Sequence, residues 1–216
     1  MIAIVDYKAG NLTSVRLALQ EIGVLGEITA DRDTILAADR VIFPGVGAAG
    51  AAMENIHRLN LEAILKDFLN TGKPMLGICV GAQVVLSSSA EDGGTACLNL
   101  IPGRAEKFQY SSDSRIKVPQ IGWNQVRFIN PHPLFDGVPS GSEFYFVHSY
   151  YPVPDKPEHQ LAETTYGSTT FASIIGNKNL VACQFHLEKS GSFGLKLLSN
   201  FCRWNGIAPS IIKEAA

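Results

Sequence analysis

The chain has 216 residues, of which 46% are hydrophobic and 18% are charged. This is enough apolar material for a sizeable core and too much for an intrinsically disordered protein. The formal net charge is −2, and the lack of basic runs argues against nucleic acid as the main partner.

The first half of the chain alternates strand-like and helix-like segments. A buried strand is predicted at residues 2–6, and apolar residues at helical spacing then predict a helix from Asn11, as N-cap, to a stop at Gly23. The alternation continues with strands at 24–30, 40–43 and 74–78. Helices are predicted after an Asp31 cap, over 51–70 (as one helix or two short ones) and over 80–88. This pattern indicates a parallel sheet with helices on both faces. The loops after its strands (7–11, 44–50 and 79–81) should meet at one edge, where sites of such sheets lie.

The second half is richer in β-like segments. After a turn at residues 92–94, β-like runs occur at 105–110, 125–129, 143–148, 161–166, 171–175 and 180–185. The turn residues between them predict antiparallel strands added to the sheet. A last helix is predicted over 191–205, with its apolar stripe formed by Phe193, Leu197, Leu198, Phe201 and Trp204.

The predicted fold class is therefore α/β. We expect a single domain over residues 1–216, with a mostly parallel central sheet flanked by helices and additional antiparallel strands in the C-terminal half. No apolar run approaches the roughly 18–20 residues that span a bilayer, and no cationic stretch precedes the first apolar residues as in a signal peptide. We expect a soluble, cytoplasmic protein.

The four cysteines form no CxxC pair, which argues against a zinc site. In a reducing compartment they are free thiols, and each is by default a small buried apolar residue. The four are Cys79, Cys97, Cys183 and Cys202. A functional cysteine must therefore be identified by its local sequence.

Residues 77–81 have the form G-x-C-x-G between a predicted strand and a predicted helix. This spacing is typical of a nucleophile elbow, in which a strained turn exposes the side chain and flanking glycines leave room for it. The positive end of the helix dipole would stabilise a Cys79 thiolate, and the Val80 amide could donate to an oxyanion. The alternative interpretation is a strand-end cysteine between ordinary turn glycines.

A cysteine nucleophile for acyl chemistry usually needs a base, and the chain has five histidines. Three lie in polar or turn segments and are expected at the surface, namely His57, His132 and His159. His148 and His186 end predicted strands, and Glu188 follows His186 by two residues, on the same side of an extended chain. A carboxylate so placed can fix the imidazole tautomer, although a chance surface pair is the alternative when H-x-E is taken alone.

Together these segments resemble the class I glutamine amidotransferases. That family has a triad with its cysteine in G-x-C-x-G and its histidine and glutamate in F-H-x-E-K-S, here residues 185–190. Further blocks resemble one branch of the family, the glutaminase subunits of histidine biosynthesis. They are the D-Y-x-x-G-N start (6–11), the P-G-V-G loop (44–47), G-W-N (122–124) and Y-F-V-H-S-Y (145–150).

The resemblance implies that Cys79 attacks the side-chain amide of L-glutamine, that His186 transfers protons and that Glu188 orients His186. It implies substrate contacts from Gly47, Gln83, Glu91, His148, Ser149 and Tyr150, oxyanion amides at Val46 and Val80, and partner-facing positions at Asn11 and Lys189. It also implies a heterodimer with a (β/α)₈ cyclase subunit that uses the ammonia. No cofactor, metal, nucleic acid or membrane is implied.

The chain departs from the family pattern at a few positions. Leu187 stands where the family has proline in F-H-P-E, and Gln120 and Ile121 replace the common His and Met. Ala82 and Val80 stand where Met and Leu are common. None of these changes removes a catalytic group. The alternatives are a glutaminase of another pathway (anthranilate, carbamoyl phosphate or pyridoxal phosphate synthesis), a free-standing cysteine hydrolase, and a non-enzymatic binding module on the same fold.

Overall fold

The computed structural model of the protein describes residues 1–8, 10–109 and 116–207. Its helices are α1 (Leu12–Glu21), α2 (Arg32–Ala37), α3 (Ala49–Arg58), α4 (Leu61–Asn70), α5 (Val80–Val84) and α6 (Gly191–Arg203). Its strands are β1 (Ile2–Val5), β2 (Gly26–Thr29), β3 (Arg40–Gly45), β4 (Met75–Cys79), β5 (Ser88–Ser89), β6 (Thr95–Ala96), β7 (Gly103–Lys107), β8 (Gln120–Gln125), β9 (Arg127–Phe128), β10 (Glu143–His148), β11 (Tyr150–Pro154), β12 (Gln160–Tyr166), β13 (Thr169–Asn177) and β14 (Leu180–Cys183). Ala9 of the predicted loop 7–11 and Tyr110 of the predicted strand 105–110 lie outside the described residues.

The central sheet has the strand order β2-β1-β3-β4-β14-β13-β12-β9. The strands from β2 to β14 pair in parallel, and β13, β12 and β9 continue the sheet antiparallel. The predicted α/β class is confirmed. Not all of the predicted antiparallel strands join this sheet, however, because β10 pairs with β8 and β11 lies in a sheet with β7, β5 and β6.

Burial explains why the first half folds as a parallel sheet. Every residue of β1 and β4 is buried, as expected for strands that are covered by helices on both faces. The longer helices bury one face only, and in α4 that face carries Leu61, Ile64, Leu65 and Phe68 at helical spacing. The core therefore lies between the sheet and its two helical layers.

Three predicted elements need correction. The helix predicted over 80–88 ends at Val84, because Ser88 and Ser89 pair with β6 and β7. The strand predicted over 125–129 is divided, since Gln125 ends β8 and residues 127–128 form β9 in the central sheet. Phe193 is 38% exposed and does not lie on the buried stripe of α6.

The predicted surface location of two histidines is wrong. His132 and His159 are both buried. The His132 ring packs edge-on against Trp204, and its Nδ1 accepts a hydrogen bond from the Leu134 amide. Burial lowers the pKa of His132 to about 4, so its ring is neutral at pH 7. His57 is exposed, as predicted, beside Glu62.

The topology brings the predicted functional loops together. Gly45 at the end of β3 pairs with Cys79 at the end of β4, so the 44–50 loop begins beside the cysteine. On the other side of β4, β14 ends at Cys183, three residues before His186. No helix in the described ranges is long and apolar enough to cross a membrane.

Candidate active site

Cys79 has a strained backbone between β4 and α5, with φ 55° and ψ −110°. Gly77 and Gly81 are needed because a side chain at either position would collide with its neighbours, not because their backbone angles exclude other residues. A Cβ at Gly81 would lie 2.1 Å from the Phe43 carbonyl oxygen, and one at Gly77 would lie 2.9 Å from the Ala182 Cβ. The sharp turn that the G-x-C-x-G spacing predicts is therefore present.

His186 and Glu188 form a buried pair next to Cys79. Glu188 Oε1 lies 2.7 Å from His186 Nδ1, and both side chains are 1% exposed. The backbone is not extended throughout as the sequence prediction assumed, because Glu188 lies in a 3₁₀ turn (Leu187–Lys189) for which His186 is the N-cap. The turn still places both side chains on the same side.

The other ring nitrogen of His186 faces the cysteine. Because Nδ1 is held by Glu188, the nitrogen that interacts with the Cys79 side chain is Nε2. It is buried and has no hydrogen-bond partner within the described residues. Burial alone lowers the pKa of His186, but its interactions with Cys79 and Glu188 outweigh burial and raise the pKa to about 9. The site thus favours an imidazolium between two acidic groups.

Asn11 contributes to this pair in a way that the sequence did not predict. It lies at the N-cap of α1 in a left-handed conformation (φ 75°), but its side chain makes no capping hydrogen bond. Instead, Asn11 Nδ2 donates to Glu188 Oε1. The residue predicted to face a partner is therefore half-buried and in contact with the predicted triad.

A cavity of about 270 Å³ opens beside Cys79 and His186. It brings together the predicted substrate and oxyanion residues. The other lining residues are Val46, Gly47, Val80, Gln83, Glu91, Pro119, Val147, His148, Ser149 and Tyr150. Lys189 is exposed outside it. Sequence reasoning missed Pro119 and Val147, which reach the pocket through the separate β8–β10 sheet.

Glu91 supplies a carboxylate to this pocket. Its Oε2 accepts a 2.7 Å hydrogen bond from the Ala49 amide, in the first turn of α3. The amides and the positive dipole end of that helix stabilise a carboxylate there. Glu91 is thus fixed in place although it lies in a short irregular segment between β5 and β6.

Buried amide side chains connect the pocket wall to the cysteine. Gln83 Nε2 donates to Tyr150 O at 3.0 Å and to Gln184 Oε1 at 3.1 Å, and Gln184 Nε2 lies 3.8 Å from Cys79 Sγ. His148 Nδ1 lies 2.8 Å from the same Tyr150 oxygen. Sequence reasoning missed Gln184, although its position two residues before His186 is a signal that both side chains leave the strand end on one side.

Val46 and Val80 stand where oxyanion donors are predicted. Val80 is the first residue of α5, so its amide has no acceptor inside the helix. Val46 follows the last residue of β3 and is partly exposed at the pocket. Their role as donors stays a prediction. In the described part of the chain, no group of three or more His, Cys, Asp or Glu side chains could hold a metal ion.

Comparison with known proteins identifies relatives along nearly the whole chain. The glutamine amidotransferase class I family matches residues 3–204. The imidazole glycerol phosphate synthase subunit HisH of Nitrosococcus oceani is 44% identical over 96% of this chain and 99% of its own length. Proteins of the same name from Maridesulfovibrio salexigens and Nitratidesulfovibrio vulgaris are 47% and 48% identical, over 93% and 94% of this chain and 95% and 96% of theirs.

Solved structures share the fold at lower identity. The structure of a glutamine amidotransferase aligns with a TM-score of 0.70 and 15% identity, over 94% of this chain and 98% of that one. PurLQS from Thermotoga maritima aligns with a TM-score of 0.72 and 17% identity, over 94% of this chain and 97% of that one. At such identities these structures support the fold alone.

The His186–Glu188 pair predicts a pH dependence. In Glu188→Gln, we expect the titration midpoint of His186, followed by NMR of labelled imidazole, to fall from about 9 by one unit or more. The pair raises the pKa of His186, so it stabilises the fold while the ring is protonated. The free energy of unfolding that Glu188→Gln loses should therefore be fully seen below pH 6.5 and should disappear as the pH rises through about 9. Glu62→Gln, at the surface pair with His57, is the matched control and should leave His186 unchanged. An unaltered His186 midpoint in Glu188→Gln would contradict this account.

The Leu187 departure can be tested by Leu187→Pro. Leu187 is the first residue of the 3₁₀ turn, where a missing N–H is tolerated, and His186 before it is extended (φ −90°, ψ 102°). We expect catalytic turnover to change less than about tenfold. The free energy of unfolding should fall by about 1–2 kcal/mol, because a buried leucine is lost. Leu187→Ala, which loses packing without fixing the backbone, separates the two effects. A larger loss of turnover in the proline variant than in the alanine variant would show that the turn rejects proline.

Proposed function

The chain belongs to the class I glutamine amidotransferases, and we propose that within this family it is the glutaminase subunit of an imidazole glycerol phosphate synthase. The observation that carries the proposal is the strained Cys79 beside the buried His186–Glu188 pair, with Cys79 and His186 lining one pocket. The names of relatives at 44–48% identity support the specific assignment over glutaminases of other pathways. Intact catalytic groups argue against a non-enzymatic module.

The first chemical step is attack on the side-chain amide of L-glutamine. Cys79 Sγ gives its proton to His186 Nε2, which forms the imidazolium that the site favours. The sulfur then forms a bond to the amide carbon, and the amide oxygen becomes an oxyanion. The amides of Val46 and Val80 would donate to that oxygen. Glu188 holds the ring through Nδ1, so that Nε2 is the nitrogen that exchanges the proton.

The second step releases ammonia and restores the enzyme. As the oxyanion collapses, the carbon–nitrogen bond breaks and His186 gives its proton to the leaving nitrogen. A water molecule then attacks the glutamyl thioester while His186 accepts its proton. The carbon–sulfur bond breaks, L-glutamate leaves, and the sulfur regains a proton.

The pocket walls offer complementary groups for an amino acid. The Glu91 carboxylate suits the α-ammonium group of glutamine. Gly47 has φ +93° at the pocket rim, which permits its backbone to approach a ligand closely. Gln83, His148, Ser149 and Tyr150 form the rest of the proposed substrate contacts.

The face around the pocket is suited to a protein partner. Ile121 and Trp123 project from β8 with 64% and 55% exposure, and Val46 at the pocket rim is 37% exposed. Trp123 packs next to Gly191, close in sequence to the exposed Lys189. Ammonia protonates and diffuses away in bulk water, so a partner that consumes it should cover this face. We propose a cytoplasmic heterodimer with a (β/α)₈ cyclase subunit docked here.

The nucleophile is tested by Cys79→Ser. We expect glutamine-dependent synthesis by the complex to fall by several orders of magnitude, while synthesis from added ammonium salt persists, because the cyclase still accepts ammonia. Cys202→Ala, a half-buried cysteine on α6, is the matched control and should keep glutaminase activity. Glutaminase turnover in Cys79→Ser within about tenfold of the wild-type value would refute the assignment.

The docking face is tested by Trp123→Ala and Lys189→Ala. Both should weaken heterodimer formation in titration calorimetry and reduce the stimulation of glutaminase by the cyclase with its nucleotide ligand, a coupling of roughly 1–3 kcal/mol. Leu25→Ala, at an apolar residue 80% exposed near β2, is the control and should change neither. Asn11→Ala is less informative for docking, because Asn11 also contacts Glu188. Undiminished affinity for the cyclase in the combined Trp123 and Lys189 variant would place the interface elsewhere. Equal glutaminase rates of the isolated chain and the complex would contradict the proposed stimulation.

A further inference from the structure

Gln184 lies against the sulfur of Cys79 and is fully buried. Its backbone N–H donates to Ser173 O at 2.9 Å, which fixes its place after β14. We propose that Gln184 is a further catalytic residue, whose side-chain N–H groups donate to the Cys79 sulfur and stabilise the thiolate. This deepens the proposed function and rests on Cys79 being the nucleophile.

The direction of the contact follows from a single backbone carbonyl. Tyr150 O can only accept, so the Gln83 atom 3.0 Å from it must be the amide nitrogen. The same nitrogen lies 3.1 Å from one terminal atom of Gln184, which must therefore be the acceptor, Oε1. The other terminal atom of Gln184, which faces Cys79 Sγ, is then the donor Nε2.

His148 supports the same direction from the other side. Its Nδ1 is 2.8 Å from Tyr150 O and must donate to it. Burial lowers the pKa of His148 to about 4, so the ring is neutral at pH 7. Gln83 and His148 therefore both act as donors to the Tyr150 carbonyl oxygen.

A buried donor at this position favours the anionic sulfur. The neutral thiol is a weak acceptor, and its own proton is directed to Val147 O, 3.9 Å away. Once the proton has left, the sulfur can only accept, and the Gln184 N–H becomes a charge-assisted donor. Because Gln184 is excluded from water, it has no competing solvent partner. The Val147 carbonyl favours the thiol, and Gln184 counteracts it by favouring the thiolate form of Cys79.

The test uses Gln184→Met, which keeps the length of the side chain and removes the donor. Alkylation of Cys79 by iodoacetamide in the full-length chain is followed between about pH 5 and pH 10 by mass spectrometry of the Cys79 peptide. We expect the midpoint of the pH dependence of alkylation to move up by about one pH unit, and the alkylation rate at neutral pH to fall about tenfold. The kcat for glutamine should fall similarly, with KM little changed.

Asn200→Leu is the matched control for loss of a buried amide. Asn200 Nδ2 donates to the Leu134 and Asp136 carbonyls at 2.7 Å, and none of these residues lines the pocket. This variant should leave the Cys79 profile unchanged. An unchanged profile in folded Gln184→Met, or an equal shift in Asn200→Leu, would overturn the proposal.

A second variant decides the matter if Gln184→Met does not fold. Gln83→Leu leaves Gln184 in place but removes the group that orients it. A smaller upward shift of the alkylation midpoint in this variant supports the proposal, and an unchanged midpoint overturns it. The alkylation readout needs no glutamine. If Cys79→Ser retained glutaminase activity, the proposed function would fail on its own measurement, whereas an unmoved alkylation profile refutes only the role of Gln184.

Discussion

The positive φ angle of Cys79 is the constraint on which the rest of the site depends. A non-glycine residue in such a conformation costs about 1–3 kcal/mol and persists only where the surroundings enforce it. Here β4 is buried in mid-sheet, and α5 packs so closely on β3 that Gly81 contacts the Phe43 carbonyl. A side chain at Gly81 would push α5 outward and move both Cys79 and the Val80 amide. The sheet therefore determines where the sulfur lies.

The partners of the sulfur come from the neighbouring strand ends. Gln184 and His186 follow β14, which pairs with β4, and the His186 amide donates to Tyr145 O in β10. Ser190 Oγ bridges the same two segments, since it accepts from the Tyr145 amide and donates to His186 O. The imidazole is thus held through its backbone by two sheets, and the side chain of Glu188 has only to fix the ring. This explains why a leucine between His186 and Glu188 is compatible with the geometry.

What could be predicted from the sequence was decided by short-range patterns. The α/β class followed from the alternation of strands and helices, and the elbow followed from the spacing of two glycines around one cysteine. The burial of His132 and the contacts of Asn11 and Gln184 could not be predicted, because each depends on residues far away in the chain. Asn11 reaches a residue 177 positions later, and a polar N-cap residue gives no sign that its side chain is used elsewhere.

The two amide contacts together give the site a specific electrostatic character. Asn11 donates to the carboxylate of Glu188 and Gln184 to the sulfur of Cys79, so the carboxylate and the proposed thiolate both have neutral donors. A lysine or arginine at either position would stabilise the anion more strongly, but its fixed charge would also disfavour the imidazolium by repulsion in a poorly solvated site. In the proposed reaction, neutral donors leave the mobile proton on His186 as the positive charge that balances the thiolate. That proton is the one that the leaving nitrogen must receive, so the same arrangement that favours the nucleophile also keeps the acid ready for the next step.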